Sequence, residues 1–528
     1  MGPGSMLGPM PGPILGQMPM PPQGHPMRRV QSNWKQRFLS GGGTRPLTLR
    51  QERTIPDWLT GKSVACFFLA MLLCWIIFGF VPDMDLVLVS SISILVFFYG
   101  TISLSRQGVV LNEKRFLRNI FIIGFAVRLI WVLYCYFFFD PEHFGNTYGE
   151  TADVDWYMPF GRAIYEWIIG ESGLTFQQIL DTWDSAVDDV GYPLWLAIIH
   201  LITFGESDVF VPFLVKCIVS AYCSVCVYNI AKRHYGEGVA RMAAIFIVFN
   251  PNMIYWCGNM FKEAEMVFLC CVFVDETDKA LSSDKYSFKA LLPGLLAGMS
   301  LFFFRAALGV SSFLAVFAHV AFASRRVLSM GKKIIAGILV AITLFVGMGD
   351  SLRAKTEKMF ETAQSTETQE RNMKWRAERK DGNKFAEYAG AAVFAPLIFT
   401  IPFPTLNAAQ EGHYLLLQLS GGYFIKNIFS FFVIWVMIVM LLTGEWRKHV
   451  FIIVYTCGYL AVLVMSAFAQ SGRFHMPVWP MLMLFAAYGI QLAKTNARMR
   501  RWYTIVLVLE VVVCIAWNWF KLAGRGLV

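Results

Sequence analysis

GYPLWLAIIHLITFG, residues 191–205, is the stretch on which the fold of this chain turns. It is apolar enough to enter a bilayer, but shorter than the roughly twenty residues that an α-helix needs to span one. If it crossed, the basic loops AKRHYGEGVAR (231–241), SRRVLSMGKK (324–333) and LAKTNARMRR (492–501) would all face outward. If it lies at the interface or re-enters, all three face inward, together with the basic N-terminal arm and SRQGVVLNEKRFLRN. Lys and Arg collect in cytoplasmic loops. The charge pattern therefore predicts that 191–205 does not cross and that the acidic segment 140–190 lies outside.

Working outward, the composition agrees with a membrane protein. The chain has 528 residues, of which 56% are apolar and 16% charged, whereas a soluble domain carries about a quarter charged residues. The apolar residues fall in blocks of about twenty, the length of a membrane helix. Such blocks lie near 64–81, 85–104, 116–139, 209–231, 242–258, 264–281, 289–304, 308–324, 333–349, 424–443, 450–468, 474–492 and 502–520. The predicted fold class is an all-α polytopic membrane protein of about thirteen transmembrane helices. An outer loop with interfacial helices and short re-entrant or interfacial segments complete it. One such short segment is the Pro-broken 389–412.

The predicted organisation is a disordered basic cytoplasmic arm over 1–62 and two N-terminal membrane helices over 63–110. A catalytic membrane core follows over 111–349, with its acidic outer loop at 140–208. A charged outer loop and interfacial segment come next over 350–423, then C-terminal membrane helices over 424–528. The arm is rich in Pro, Gly and Met and cannot form a packed core. The net charge of +10 resides in loops and arm, so membrane lipid rather than nucleic acid is its expected partner. The eleven cysteines sit almost entirely inside apolar runs and read as small buried hydrophobes. No metal-ligand spacing stands out among the eight scattered histidines, and no cofactor is predicted; the need for a divalent cation is left open.

Ionisable groups at membrane depth are costly, and are paired, cavity-facing or functional. Four groups of them converge on the predicted outer face. Asp153 and Asp155 precede Tyr157, and Asp153 and Tyr157 share a helical face. Lys262 and Glu263 stand between two apolar runs. Arg305 interrupts MSLFFFRAALGVSSFL with no turn residue beside it, and its planar fork suits a phosphate. Arg473 and His475 precede a helix whose first turn holds Pro477 and Pro480. Each group also has a plainer account: solvated loop charges, a helix cap at Asp153, or snorkelling at Arg305.

The order of these pieces resembles the GT-C superfamily of integral-membrane glycosyltransferases. The resemblance rests on DVDWY, GYP…FG, AKRHYG, the boundary Glu263, FFFRAALG and GRFHMPVWPMLML, spread over 116–492. Within the superfamily it looks most like the family 39-type enzymes that use polyprenyl-phosphate sugars, relatives of protein O-mannosyltransferases and of the lipid A aminoarabinose transferase. The resemblance implies a catalytic base in the first outer loop, at Asp153 with Asp155 as the alternative. It also implies lipid-phosphate contacts at Arg305 and Arg473. Glu263 is a further catalytic candidate, and Tyr157, Lys262 and His475 are further candidate substrate contacts. The implied partners are a polyprenyl-phosphate-linked sugar and a lipid, glycan or protein acceptor, in a bacterial inner membrane with the site facing outward. A transporter or flippase, and a polysaccharide ligase or polymerase, are the competing classes.

Overall fold

The computed structural model describes residues 47–79, 84–139, 151–183, 185, 189–206, 210–283, 288–322, 418–465 and 472–523. The expected span 333–349, the charged loop 350–388 and the segment 389–412 lie outside the described residues.

Within them the elements are helices. The first are α1 (Leu49–Arg53), α2 (Asp57–Phe78), α3 (Met84–Gly108) and α4 (Glu113–Tyr134), the last prolonged by a π turn at Cys135–Phe139. Then come α5 (Thr151–Ile168), α6 (Phe176–Thr182), α7 (Gly191–Ile202), α8 (Phe210–Tyr235), α9 (Glu237–Phe249) and α10 (Pro251–Tyr255). After the short 3₁₀ turn Trp256–Gly258 follow α11 (Glu263–Ser282), α12 (Phe288–Phe304) and α13 (Ala306–Phe322). The last group is α14 (Gln418–Thr443), α15 (Val450–Met465), α16 (Gly472–His475), α17 (Trp479–Thr495) and α18 (Ala497–Ala523).

Among the described residues, seven helical stretches are long and apolar enough to cross a membrane, or eight if the bent pair α9–α10 is one span. That is fewer than the thirteen expected from the sequence. The helices α12, α13 and α15 are apolar but have 17, 17 and 16 residues. The 20-residue α11 carries acids at both ends. Order also begins earlier than expected: α1 lies inside the segment assigned to a disordered arm. Thr48 closes a capping box on α1, Arg53 donates to the Val109 carbonyl, and Lys494 donates to the Glu52 carbonyl. Those ties, to the turn after α3 and to α17, fix it.

Helices α8, α9, α11, α14 and α17 form the centre, packed as the pairs α8–α9, α8–α11, α9–α17 and α14–α17. The apolar window of the α16–α17 stretch, Gly472–Thr495, is 83% buried, whereas that of α4 is 28% buried and leaves a long apolar face open. An outer helix of this kind has lipid for its remaining neighbour.

One break shapes the centre. The α9 ladder ends at Asn250–Pro251, where proline has no N–H to offer, and the chain turns by 48°. The Asn250 side chain accepts from the Asn252 and Met253 amides and so starts α10. Arg128, fully buried on α4, donates to the Ile247 and Val248 carbonyls, to the Gly124 carbonyl and to Ser220 Oγ. A helix C-terminus carries partial negative charge, so this guanidinium meets its compensation in backbone dipoles. The break directs the 256–262 turn toward the end of the bundle where α8 and α11 begin.

The α7 helix is 12 residues long, about 18 Å, against about 30 Å of hydrocarbon. It runs alongside α5, with Tyr157 on Tyr192 and Tyr165 near His200. Gly191 starts it hard against α12: a Cβ there would lie 2.8 Å from the Phe303 carbonyl oxygen. Glycine is what lets α7 begin beside Arg305.

Candidate active site

The residues singled out in the sequence meet at the bundle end where α8, α11 and α16 start and α12 finishes. Glu263 opens α11 and is fully buried. Its Oε1 accepts from Arg473 Nε at 2.5 Å. Its Oε2 is buried with no hydrogen-bond partner among the described residues. A carboxylate oxygen left this way inside a bundle is expensive, and marks a position shaped for something other than packing.

Arg473 lies in the short helix Gly472–His475, every residue of which is held by a different neighbour. Tyr423 of α14 packs so closely on Gly472 that a Cβ would overlap its ring. Arg473 stacks on Phe261 at 4.2 Å while pairing with Glu263. The Phe474 carbonyl accepts from Tyr459 of α15, and its ring lies under the Arg305 guanidinium at 4.2 Å. Nδ1 of His475, fully buried, is hydrogen-bonded to the Lys426 ammonium of α14.

Arg305 joins this group from the α12–α13 junction and donates to the Tyr459 hydroxyl at 3.0 Å. Tyr459 feels the charges of both Arg305 and Glu263. Arg305 and Arg473, 168 positions apart in the chain, thus flank the Glu263–Tyr459 neighbourhood.

The turn that presents Lys262 and Glu263 is anchored by Lys216, which the sequence reading passed over. Its fully buried ammonium on α8 donates to the Asn259 and Phe261 carbonyls at 2.7 and 2.6 Å and to the Tyr192 hydroxyl at 3.1 Å. Those contacts use its three N–H groups. Glu265, one turn-edge along from Glu263, supplies the countercharge at 3.6 Å. The available signal was a lone Lys inside the apolar run FVPFLVKCIV.

Tyr157 is buried and its ring meets Tyr192 edge-on at 4.9 Å. This contact brings the DVDWY helix to the edge of the same group. Asp155 is exposed, and the side chain of Asp153 lies outside the described residues. Lys262 pairs with Asp189, in the short run before α7. Among the described residues, no group of three or more His, Cys, Asp or Glu side chains is arranged to hold a metal ion. The structure thus brings together Glu263, Arg473, Arg305, Tyr157 and Lys262, with His475 turned to Lys426 of α14. To them it adds Lys216, Glu265, Tyr192, Tyr459 and Lys426.

The arrangement can bind an anion through guanidinium groups while a buried carboxylate faces it. That is what a site needs when negative charge develops on a leaving group. No curated protein and no solved structure matches the chain. The family comparison does: residues 173–352 match the Alg9-like mannosyltransferase family, a GT-C-type glycosyltransferase family. The match covers α6 to α13, with Lys216, Lys262, Glu263, Glu265 and Arg305, and supports the resemblance at the level of the superfamily without selecting its family 39-type members. The match covers about a third of the chain, and with the apolar helical bundle around these residues it supports a membrane glycosyltransferase.

Proposed function

We propose that the chain is an inverting glycosyltransferase that moves a sugar from a polyprenyl-phosphate donor to an acceptor on the side of the membrane opposite the basic loops. Mannose, the sugar in the name of the matching family, is the first to try. The observation that carries this reading is the buried Glu263–Arg473 pair with its unpartnered Glu263 Oε2 and with Arg305 one tyrosine away. The loop charges favour a site facing outward, and a bacterial inner membrane is the setting that the resemblance implies.

In this mechanism the acceptor hydroxyl attacks the anomeric carbon. The bond from that carbon to the phosphate oxygen breaks, and its electron pair stays on the departing lipid phosphate. Arg305 and Arg473 stabilise the charge that builds there. Asp153, or Asp155 beside it, accepts the hydroxyl proton, a contribution of about 10²–10⁴-fold. Glu263 holds Arg473 with one oxygen and offers the other to a sugar or acceptor hydroxyl. Tyr157, packed on Tyr192, fixes the DVDWY helix relative to Lys216 and the Glu263 turn.

The test is transfer from a synthetic polyprenyl-phosphate sugar by the purified chain, followed by mass spectrometry of the acceptor fraction. Asp153→Asn and Asp155→Asn, checked for folding, are run beside it. Loss of transfer in one of the two identifies the base, and full turnover in both removes the base role from this segment. Uptake of substrate into sealed vesicles without covalent change supports the transporter class instead.

A further inference from the structure

Helices α5, α6 and α7 enclose an apolar core of their own, built from Phe160, Ile164, Ile179, Leu180, Val190 and Ala197. Tyr157, Tyr192, Leu196 and Ile199 of the same helices belong instead to the main core of the bundle. The unit that carries Asp153 and Asp155 is thus packed internally, and those four residues join it to the bundle. Lys216, Glu263 and Glu265 stand on the bundle side of the junction. A transfer that uses an acid of α5 together with the Glu263 turn needs the two held in register, since a misplacement of about 1 Å can cost about 10²-fold in rate.

Tyr192 touches both sides of the junction at once. Its ring meets Tyr157 of α5 edge-on, with centroids 4.9 Å apart. Its hydroxyl accepts from Lys216 Nζ at 3.1 Å and donates to Met260 Sδ at 3.1 Å. Lys216 is the ammonium that also holds the Asn259 and Phe261 carbonyls, and Met260 belongs to that same turn, three residues before Glu263. The side chain is fully buried, and its hydroxyl both donates and accepts, as a phenol can. Only two torsions orient a tyrosine ring, so a buried one is a stiff spacer. Its neighbour Gly191 is fixed against the Phe303 carbonyl, which sets where the ring enters. One side chain therefore grips α5 with its ring and the Glu263 turn with its hydroxyl.

We propose that Tyr192 is a positioning residue that sets the separation between the α5 acid and the Glu263 carboxylate. This rests on the transferase reading above and adds how an acid on a separately packed unit is kept in register with the bundle. Tyr192 acts through Tyr157 on one side and through Lys216 and Met260 on the other. Its two grips work in series, so releasing either one has the same consequence as releasing both.

The experiment measures single-turnover transfer from a synthetic polyprenyl-phosphate sugar, using the full chain in nanodiscs and normalising each variant to folded protein. Tyr192→Phe keeps the ring and removes the hydroxyl, whereas Tyr157→Leu removes the ring contact and leaves the hydroxyl. Each should lower the rate at saturating donor and acceptor by about tenfold or more, with donor affinity at the wild-type value. The double variant should be no slower than the slower single one. Independent contributions would instead multiply, and a multiplied loss overturns the proposal. A wild-type rate in folded Tyr192→Phe, or a loss confined to donor affinity, overturns it too and leaves the transferase reading standing. If the double variant does not fold, Tyr192→Phe decides by the same two readouts; if that variant does not fold either, Tyr157→Leu decides, and a wild-type rate there overturns the proposal. Absence of transfer by the wild type from any polyprenyl-phosphate sugar sinks the transferase reading itself.

Discussion

The two ends of α8 and α11 carry similar residues and treat them differently. At one end lie Lys216, Glu263 and Glu265; at the other lie Arg233, His234, Asp275 and Asp278. Lys216 and Arg233 are about 25 Å apart along one helix, so the two polar clusters sit near opposite ends of the apolar bundle. At the second end the ions meet in mutual pairs. Arg233 bridges Asp275 and Asp278 at 2.7 and 2.8 Å, and His234 Nε2 meets the other Asp278 oxygen at 2.8 Å. His449 meets His234 and stacks with Tyr235, which stacks in turn on Tyr488. Nearby, Glu237 is shared by Tyr228 and Arg241. At the first end, among the described residues, Glu263 Oε2 has no hydrogen-bond partner and Arg305 meets a tyrosine hydroxyl rather than a carboxylate. At the second end Asp275 Oδ1 and the Tyr235 hydroxyl also lack a hydrogen bond among the described residues, but Asp275 Oδ1 still meets Arg233 as an ion pair, whereas no ion pair reaches Glu263 Oε2.

The largest expected effect is on chemistry. Glu263→Gln keeps an acceptor for Arg473 but removes the charge, and should lower single-turnover transfer by about 10²–10³-fold with the fold intact. Lys216→Met should act on both stability and transfer. It releases the Asn259 and Phe261 carbonyls and strands Glu265, a loss of about 3–5 kcal/mol for a broken buried pair. Denaturation in detergent and turnover per folded molecule should both fall. Asp278→Ala, at the opposite end, should cost a similar amount of stability yet leave turnover per folded molecule unchanged. An equal loss of turnover would erase the distinction between the two ends.

A smaller effect is set by pH. Burial, followed by the neighbouring His234 and Lys448 charges, holds His449 down at about 4, below the ordinary imidazole value of about 6.5. Between those values the unfolded chain binds the proton and the folded one does not. The stability contributed is therefore fully present above about pH 6.5 and is lost as pH falls through the window toward 4. The melting temperature should drop across that range, and His449→Phe should flatten the drop. The smallest effect belongs to Asp189→Asn. Asp189 is 50% exposed in its pair with Lys262, and a pair so open to water contributes about 0–1 kcal/mol.

Most helices were legible because long apolar runs leave few alternatives. The 210–235 and 421–443 spans emerge close to where the sequence places them. The 242–258 run reads as one span, but Asn250–Pro251 divides it, and Arg128 rather than any local signal stabilises the divided form. The site was legible only in part, for a definite reason. Charges at span boundaries announce themselves, so Glu263, Arg305 and Arg473 were all visible. Lys216 and Lys426 lie inside apolar runs where one Lys hardly changes the hydropathy, and their partners come from distant segments. Pairing is a three-dimensional property: nothing near Arg473 in sequence indicates that Glu263 is its carboxylate, or that Arg305 has none among the described residues.

The most direct test of the account sets the two ends against each other in one assay. Transfer from a polyprenyl-phosphate sugar is measured under single-turnover conditions for Glu263→Gln and Asp278→Ala, each normalised to folded protein. The account predicts a loss of at least about 10²-fold for the first and wild-type turnover for the second. Wild-type turnover in folded Glu263→Gln would contradict it.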